Sequence, residues 1–260
     1  MSPYYIKVPE TGIKVFKDYQ RFIEIPCGKC PECRVSHSRE WAIRCMCELE
    51  SMSDIEKDRC WFITLTYDNQ HNPGFLVQSD VQKFFKRLRK KYKQFKIKYF
   101  YCGEYGTNTF RPHYHVLLYN CPIMDLNPLY VTRNSDMLFT SETIASIWGK
   151  GQIAIGALTL KSAAYTARYC LKKNDTDCYM RCSQGFGKKF FLKNMKDIIS
   201  NGFVSVNFDD HLMKAKIPKY FLKVYRQIVG DKEYTKFIKF RMMKSEDFQL
   251  ALQKSIKVYD

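Results

Sequence analysis

Apolar positions between residues 60 and 120 come in short β-branched and aromatic runs, each closed by turn-forming residues. Trp61-Phe-Ile-Thr-Leu-Thr-Tyr67 predicts a strand, ended by the turn Asp68-Asn-Gln-His-Asn-Pro-Gly74. Ser79 and Asp80 can cap a long helix through about Gln94, in which Phe84, Leu88 and Phe95 recur at helical spacing. Ile97–Gly103 predicts the next strand and His113–Tyr119 its hairpin partner, joined by the turn-rich loop Tyr105–Pro112. A helix over 141–148, a strand over 152–157 and an Ala-rich helix over 160–172 follow. Upstream, residues 1–26 read as short strands and turns, Cys27–Cys33 as a cysteine-rich turn, and Ser36 to Met52 as a helix. The tail beyond residue 175 is rich in Lys and aromatics and reads as mostly helical. The order β-α-β-β-α-β-α over 60–173 predicts an α+β fold with a largely antiparallel sheet. Strand order is not contained in the pattern. The expected division is an N-terminal arm (1–58), a central domain (59–175) and a basic C-terminal extension (176–260).

Charge changes the picture more than composition does. Hydrophobic residues at 45% supply a core, but 43 Lys+Arg against 26 Asp+Glu leave a net charge of +17. Self-repulsion on that scale calls for an anionic partner, nucleic acid first and an acidic membrane surface second. The N-terminus lacks the basic and apolar regions of a signal peptide, and no apolar run approaches bilayer length. Eleven Cys, an odd number, fit reduced thiols, so a soluble cytoplasmic protein is expected.

The sharpest chemical signal is Arg111-Pro-His-Tyr-His-Val-Leu117. On a strand, residues two apart share a face, so His113 and His115 project side by side. With five His in the chain, chance supplies about 0.1 such pairs. Two neutral imidazoles are most of a divalent-metal site, and Mg²⁺ or Mn²⁺ adds a hard oxygen. Glu104 supplies it if it lies opposite His113 in the hairpin, which sets Cys102 opposite His115, because antiparallel partners sum to a constant. The same donors also serve non-haem iron oxygenases, so the metal alone does not decide the reaction.

A second constellation is Tyr165-Thr-Ala-Arg-Tyr169-Cys-Leu-Lys172-Lys173. Residues four apart stack on one helix face, and Lys172 continues that face. The Tyr-x-x-x-Tyr spacing alone is weak, since about 1.2 such pairs arise by chance. Joined to a metal it acquires a use: a phenol attacks phosphorus once positive charge favours phenolate and the phosphoryl group is polarised.

These motifs resemble those of the HUH endonucleases, named for two His around a hydrophobic residue, here Tyr114. The chain is most similar to the rolling-circle replication initiators of microviruses of the gokushovirus type. The resemblance covers most of the chain and rests on Cys27-Gly-Lys-Cys-Pro-Glu-Cys33, Ser38-Arg-Glu-Trp-Ala-Ile-Arg44 and Phe62-Ile-Thr-Leu-Thr-Tyr-Asp68. It extends over Gly103-Glu-Tyr-Gly106, the His pair and Tyr165-x-x-x-Tyr169-x-x-Lys172. It implies an HUH-type, ferredoxin-like antiparallel sheet with the His pair on a central strand and the tyrosine helix beside it. It further implies a Mg²⁺ or Mn²⁺ cofactor at His113, His115 and Glu104, with Tyr165 and Tyr169 as nucleophiles helped by Lys172 or Lys173. One tyrosine would nick an origin strand and hold its 5′ end, and the other would cut after one round. The implied partners are single-stranded and supercoiled double-stranded viral origin DNA, with host helicase and DNA polymerase, in the bacterial cytoplasm. The rivals are a non-catalytic origin-binding protein with a structural His pair, and an iron oxygenase.

Cys27, Cys30 and Cys33 have Zn²⁺-binding spacing, expected about 0.02 times by chance. His37, Cys45 or Cys47 would be the fourth ligand, and the pinned turn would aim Arg34, Arg39 and Arg44 at DNA. An iron–sulfur centre is the runner-up. Lys83, Lys86, Arg87 and Lys90 form a basic helix face suited to phosphate. Arg111, Arg168, Lys173 and Lys188, the last in the Gly/Lys loop Ser183–Lys189, complete the expected DNA contacts.

Overall fold

Strand formation follows the apolar runs, and the two sheet faces are set by residue parity. The computed structural model describes residues 4–7, 22–25, 30–107, 109–132, 135–168, 178–208 and 211–256. The elements are β1 (Tyr4–Lys7), β2 (Phe22–Ile25), α1 (Pro31–Glu50), α2 (Asp54–Lys57), β3 (Trp61–Thr66), α3 (Gln78–Lys91), β4 (Lys98–Tyr105) and β5 (Pro112–Tyr119). They continue with β6 (Asn127–Val131), β7 (Met137–Thr140), α4 (Glu142–Trp148), β8 (Ile153–Ala157), α5 (Leu160–Arg168), β9 (Tyr179–Cys182), α6 (Lys188–Asn201), β10 (Phe203–Phe208), β11 (His211–Lys216) and α7 (Lys219–Ile256). Seven strands form one antiparallel sheet in the order β6-β7-β8-β3-β5-β4-β9, flanked by helices. The fold is therefore α+β, as expected, and β5 lies inside the sheet with β3 and β4 on either side.

Even and odd positions of β4 bury different cores. Phe100 of β4 with Leu117 and Tyr119 of β5 meets α1, α5, α6 and α7 through Trp41, Cys45, Ala163, Ala167, Phe191 and Phe221. Tyr101 with Tyr114, Val116 and Leu118 meets α3 and α4 through Val81, Phe84, Phe85, Leu88, Ile144 and Trp148. The α3 residues fall at i, i+3, i+4 and i+7, the spacing that lays one helix stripe on a sheet.

Several boundaries differ from expectation for identifiable reasons. Helix α1 starts five residues early because Pro31 occupies its first turn, where a missing N–H is harmless. Helix α3 has Val77 at its N-cap with no side-chain cap; Asp80 instead turns inward and accepts a hydrogen bond from Tyr67 Oη at 3.0 Å. The β4–β5 loop covers only 106–111, because both strands run further than the apolar runs suggest. The mostly helical tail is corrected by β9 and by the β10–β11 hairpin, in which Val204 and Val206 are buried between more exposed neighbours. The β6–β7 hairpin is a further addition to the expected elements. Among the described residues no helix is long and apolar enough to cross a membrane.

Candidate metal centre and nucleophile

The β4–β5 register places Glu104 opposite His113 and Cys102 opposite His115, the pairing derived from hairpin parity. On the other side of β5, Thr66 faces His113 and Thr64 faces His115. One sheet face thus carries a row of polar side chains. His113 Nε2 and His115 Nε2 lie 2.9 and 2.8 Å from the same atom, Glu104 Oε1. Glu104 and His115 are buried and His113 is half-buried.

The outer nitrogens are held too. His113 Nδ1 is 3.1 Å from the Arg111 carbonyl oxygen, and His115 Nδ1 is 3.1 Å from Thr64 Oγ1. A carbonyl only accepts, so His113 Nδ1 carries the proton, and in the neutral ring Nε2 presents its lone pair to Glu104. Burial alone would raise the Glu104 carboxyl. Hydrogen bonds from the two imidazoles, and their charge, outweigh it and bring the pKa down to about 2. The result is an ionised oxygen facing two nitrogens at a separation that demands a proton or a cation between them.

A divalent cation fits this donor set. Neutral nitrogens whose far sides are hydrogen-bonded, with one carboxylate, are usual ligands. Ligands about 2.1 Å from an octahedral ion are about 3.0 Å apart when adjacent, close to the separations seen. Among the described residues this is the group of His, Cys, Asp or Glu whose donor atoms all lie within 4.8 Å of one another.

Strand β5 is fixed from behind by Tyr114, which points to the opposite face. Its hydroxyl accepts from Val77 N–H at 2.7 Å and lies 3.2 Å from Tyr67 Oη. Gly103 faces Tyr114 across the strands; a Cβ there would sit 3.1 Å from the Tyr114 ring and 3.0 Å from Leu76. Glycine at 103 is thus what lets this ring lie flat behind the His pair.

Helix α5 brings Tyr165 to the metal face. Ser162 and Thr159 cap its start reciprocally, at 2.8 and 3.1 Å. Ala163 and Ala167 are fully buried, small enough to let the helix approach α1 and the sheet closely. Tyr165 remains 39% exposed, with its ring edge-on to His115 at 5.1 Å and to Phe62 at 6.2 Å. Phe62 stacks on His115 at 5.4 Å. Thr64 and Phe62 escaped the sequence reading; the signal available was their two-residue spacing on the strand that pairs with the His pair. Tyr169, Lys172 and Lys173 lie outside the described residues.

The expected basic contacts separate into two groups. Arg39, Lys83, Lys86, Lys90, Arg168 and Lys188 are exposed and Arg34 is half-exposed. Arg44 is a correction: it is buried, with its guanidinium 4.0 Å from the Trp41 ring, 4.2 Å from the Tyr220 ring and bonded to the Phe186 carbonyl at 3.1 Å. Arg87 donates to the Ile147 and Trp148 carbonyls at the end of α4, and Arg111 to the Tyr67 carbonyl and Asn69 Oδ1. These three hold the fold together rather than presenting free charge.

Cys30 caps α1 and Cys33 lies in its first turn, while Cys27 lies outside the described residues. Cys45 and Cys47 are ruled out as partners of that pair. They are fully buried and sit 12 and 14 residues further along the helix, about 18 and 21 Å away. His37 is one turn from Cys33 and accepts from Trp41 Nε1 at 3.0 Å.

Fold and cluster together define an antiparallel-sheet α+β protein with a two-histidine, one-carboxylate donor set beside an exposed tyrosine. The family model for replication-associated protein ORF2 matches residues 60–174. Replication-associated protein ORF2 of Spiroplasma virus 4 is 35% identical over 242 residues, covering 86% of this chain and 74% of that protein. Replication-associated protein VP4 of Bdellovibrio phage phiMH2K is 33% identical over 256 residues, covering 91% and 78%. Replication-associated protein ORF4 of Chlamydia phage 1 is 24% identical over 250 residues, covering 84% and 59%. The chain belongs to this family of viral replication-associated proteins. No solved structure matches it.

Proposed function

We propose that the chain is a two-tyrosine, HUH-type replication initiator of the gokushovirus kind, which nicks one strand of a viral origin and later cuts and rejoins the displaced strand. The observation that carries this reading is the Tyr165 ring, solvent-accessible and 5.1 Å from the His115 ring of a three-donor cluster. Tyr165 Oη attacks the scissile phosphorus; the Oη–P bond forms, the P–O3′ bond breaks and the phenol proton passes to solvent. The 5′ end stays on the tyrosine, the released 3′-OH primes synthesis, and the retained ester energy allows rejoining without ATP.

Glu104, His113 and His115 hold Mg²⁺ or Mn²⁺, which polarises the phosphoryl group and offsets charge developing on its oxygens. The Arg111 carbonyl and Thr64 keep both Nε2 atoms aimed at Glu104. Phe62 packs between His115 and Tyr165 and sets the approach of the phenol. Tyr169 serves the second cut, and Lys172 or Lys173 favours phenolate. In this reading residues 59–175 carry the chemistry, and Arg34, Arg39, Lys83, Lys86, Lys90, Arg168 and Lys188 contact single-stranded and supercoiled origin DNA. Host helicase and polymerase extend the primer in the bacterial cytoplasm, and Zn²⁺ at Cys27, Cys30 and Cys33 pins the arm.

The test is a single-stranded origin oligonucleotide incubated with Mg²⁺ or Mn²⁺ and resolved on a denaturing gel. A covalent adduct is expected, lost with EDTA, lost in Tyr165→Phe/Tyr169→Phe, and reduced at least about 100-fold in His113→Ala/His115→Ala. Tight binding without an adduct by the wild type overturns the nicking mechanism. An undiminished adduct in either double variant removes the role given to those residues.

A further inference from the structure

The sheet face opposite the metal cluster carries a cleft of about 330 Å³ lined by Gln82, Phe85, Lys86, Arg89 and Tyr99. It is a gap between α3 and β4 at the end of the β4–β9 ladder. That ladder stops at Phe100 paired with Cys182. Tyr99 is then clamped by Ser183, whose hydroxyl accepts from Tyr99 N–H at 3.0 Å and whose N–H donates to the Tyr99 carbonyl at 2.8 Å. The ring is therefore presented by rigid backbone. Its inner neighbour is Phe85, nearly parallel at 12° with centroids 3.7 Å apart.

From Tyr99 the aromatic series continues to Tyr101 at 5.8 Å and on to Tyr179 at 6.1 Å. A cation stands at each end. The Arg89 guanidinium carbon is 5.1 Å from the Tyr99 ring, and that of Arg181 is 5.5 Å from the Tyr179 ring. Lys86 is one helical turn before Lys90 and exposed at the cleft mouth. No acidic residue lines the cleft. Among the described residues neither Lys86 nor Arg89 joins an ion pair, although elsewhere on the chain Lys57, Lys98, Lys150 and Lys236 each do. Aromatic rings beside uncompensated cations, with an amide donor and acceptor in Gln82, match the needs of a base and its flanking phosphate. The volume lies at the small end of ligand pockets, about 300–1,000 Å³, which suits a single nucleotide.

We propose that this cleft is a second single-stranded DNA subsite, taking one base against the Phe85–Tyr99 pair and the adjoining phosphate between Lys86 and Arg89. It rests on the nucleic-acid reading above and extends it: a bound strand is held on both sides of the sheet, rounding the β9 edge past Arg181. Nothing in this step is chemical, so it is separable from cleavage.

The experiment measures binding of a 20-residue oligodeoxythymidylate in EDTA, where neither metal nor nucleophile matters, across a salt series. Lys86→Gln/Arg89→Gln lies on the exposed face of α3 and removes two phosphate contacts. The slope of log affinity against log salt then falls by about 1.4, which is about 25-fold in affinity at 0.1 M relative to 1 M salt. Lys232→Gln/Lys239→Gln removes the same charge from α7 and is expected to change binding far less. Equal weakening by both pairs, or wild-type affinity and slope in the α3 pair, overturns the proposal. As a second measurement, 5-iodouracil placed in the strand crosslinks wild-type protein at Phe85 or Tyr99; crosslinks that never map between residues 82 and 99 overturn it equally. Failure of the nicking reading would show separately, as a missing wild-type adduct.

Discussion

Replacing Glu48 with Ala tests how the N-terminal helix is fastened to the rest of the chain. The carboxylate is buried, and its two oxygens serve different elements. Oε1 lies 2.6 Å from Lys98 Nζ at the start of β4, and Oε2 accepts from Gly187 N–H at 2.7 Å, at the N-cap of α6. Gly187 has φ of +77°, a backbone state that favours glycine, so this N–H has no easy alternative orientation. Glu48→Ala orphans a buried N–H, worth about 1–3 kcal/mol, and strips the counter-charge from Lys98. Losing one partner of a fully buried pair costs about 3–5 kcal/mol. Lys98 keeps 20% side-chain exposure and can rehydrate, so the low end, about 3 kcal/mol, is the expected loss. For a chain of this size that is roughly 6–12 °C in Tm. Urea unfolding followed by tryptophan fluorescence reads it, with Glu48→Gln intermediate because the amide oxygen still accepts from Gly187. A double-mutant cycle with Lys98→Met makes the argument sharp: the pair together loses less than the sum of the singles. A loss below about 1 kcal/mol, or an additive cycle, refutes the reasoning.

Thr64→Val keeps the shape of the side chain but removes the oxygen 3.1 Å from His115 Nδ1; Mn²⁺ affinity by calorimetry is expected to drop about 10–100-fold, with Thr64→Ser restoring it. Burial pushes the Cys60 thiol up to about 11 and the Cys121 thiol to about 12. Above pH 9 the unfolded chain therefore releases these protons while the folded chain retains them, so folding stability falls as pH rises from 9 through 11. A urea midpoint flat over that window contradicts the assignment, and Cys60→Ala is expected to shallow the decline. At pH 8 both thiols should resist a thiol-modifying disulfide reagent until the chain is unfolded, as thiolate is the reactive form.

Legibility in the sequence followed the range of the interactions involved. The hairpin register was readable because parity across one short loop ties Glu104 to His113 once both strands are recognised. The position of Tyr165 on the metal face depends on how α5 lies over the sheet, and α5 is held there by α1, which precedes it by more than a hundred residues. The three misassigned arginines share a cause: their acceptors are carbonyls far away in the chain. Arg44 reaches Phe186, Arg87 reaches Ile147 and Trp148, and Arg111 reaches Tyr67. Nothing local distinguishes such a residue from one held out to DNA. Asp80 misled for the same reason, since its partner Tyr67 sits on the sheet rather than in its own first turn. The tail strands were lost to composition, because β10 and β11 are brief and the Lys-rich text around them resembles a helix surface.

The shared core on the α1 side of the sheet sets a limit on dissection. A fragment trimmed to the family-matched stretch, 60–174, would keep its strands and its cluster of imidazoles. It would also bare Phe100, Leu117, Tyr119, Ala163 and Ala167, the surface that Trp41, Cys45, Phe191 and Phe221 now cover. An apolar sheet face of that kind, left open to water, invites self-association. The flanking helices are thus the missing wall of the central unit, and any shortened version that is to stay dispersed in solution has to carry them.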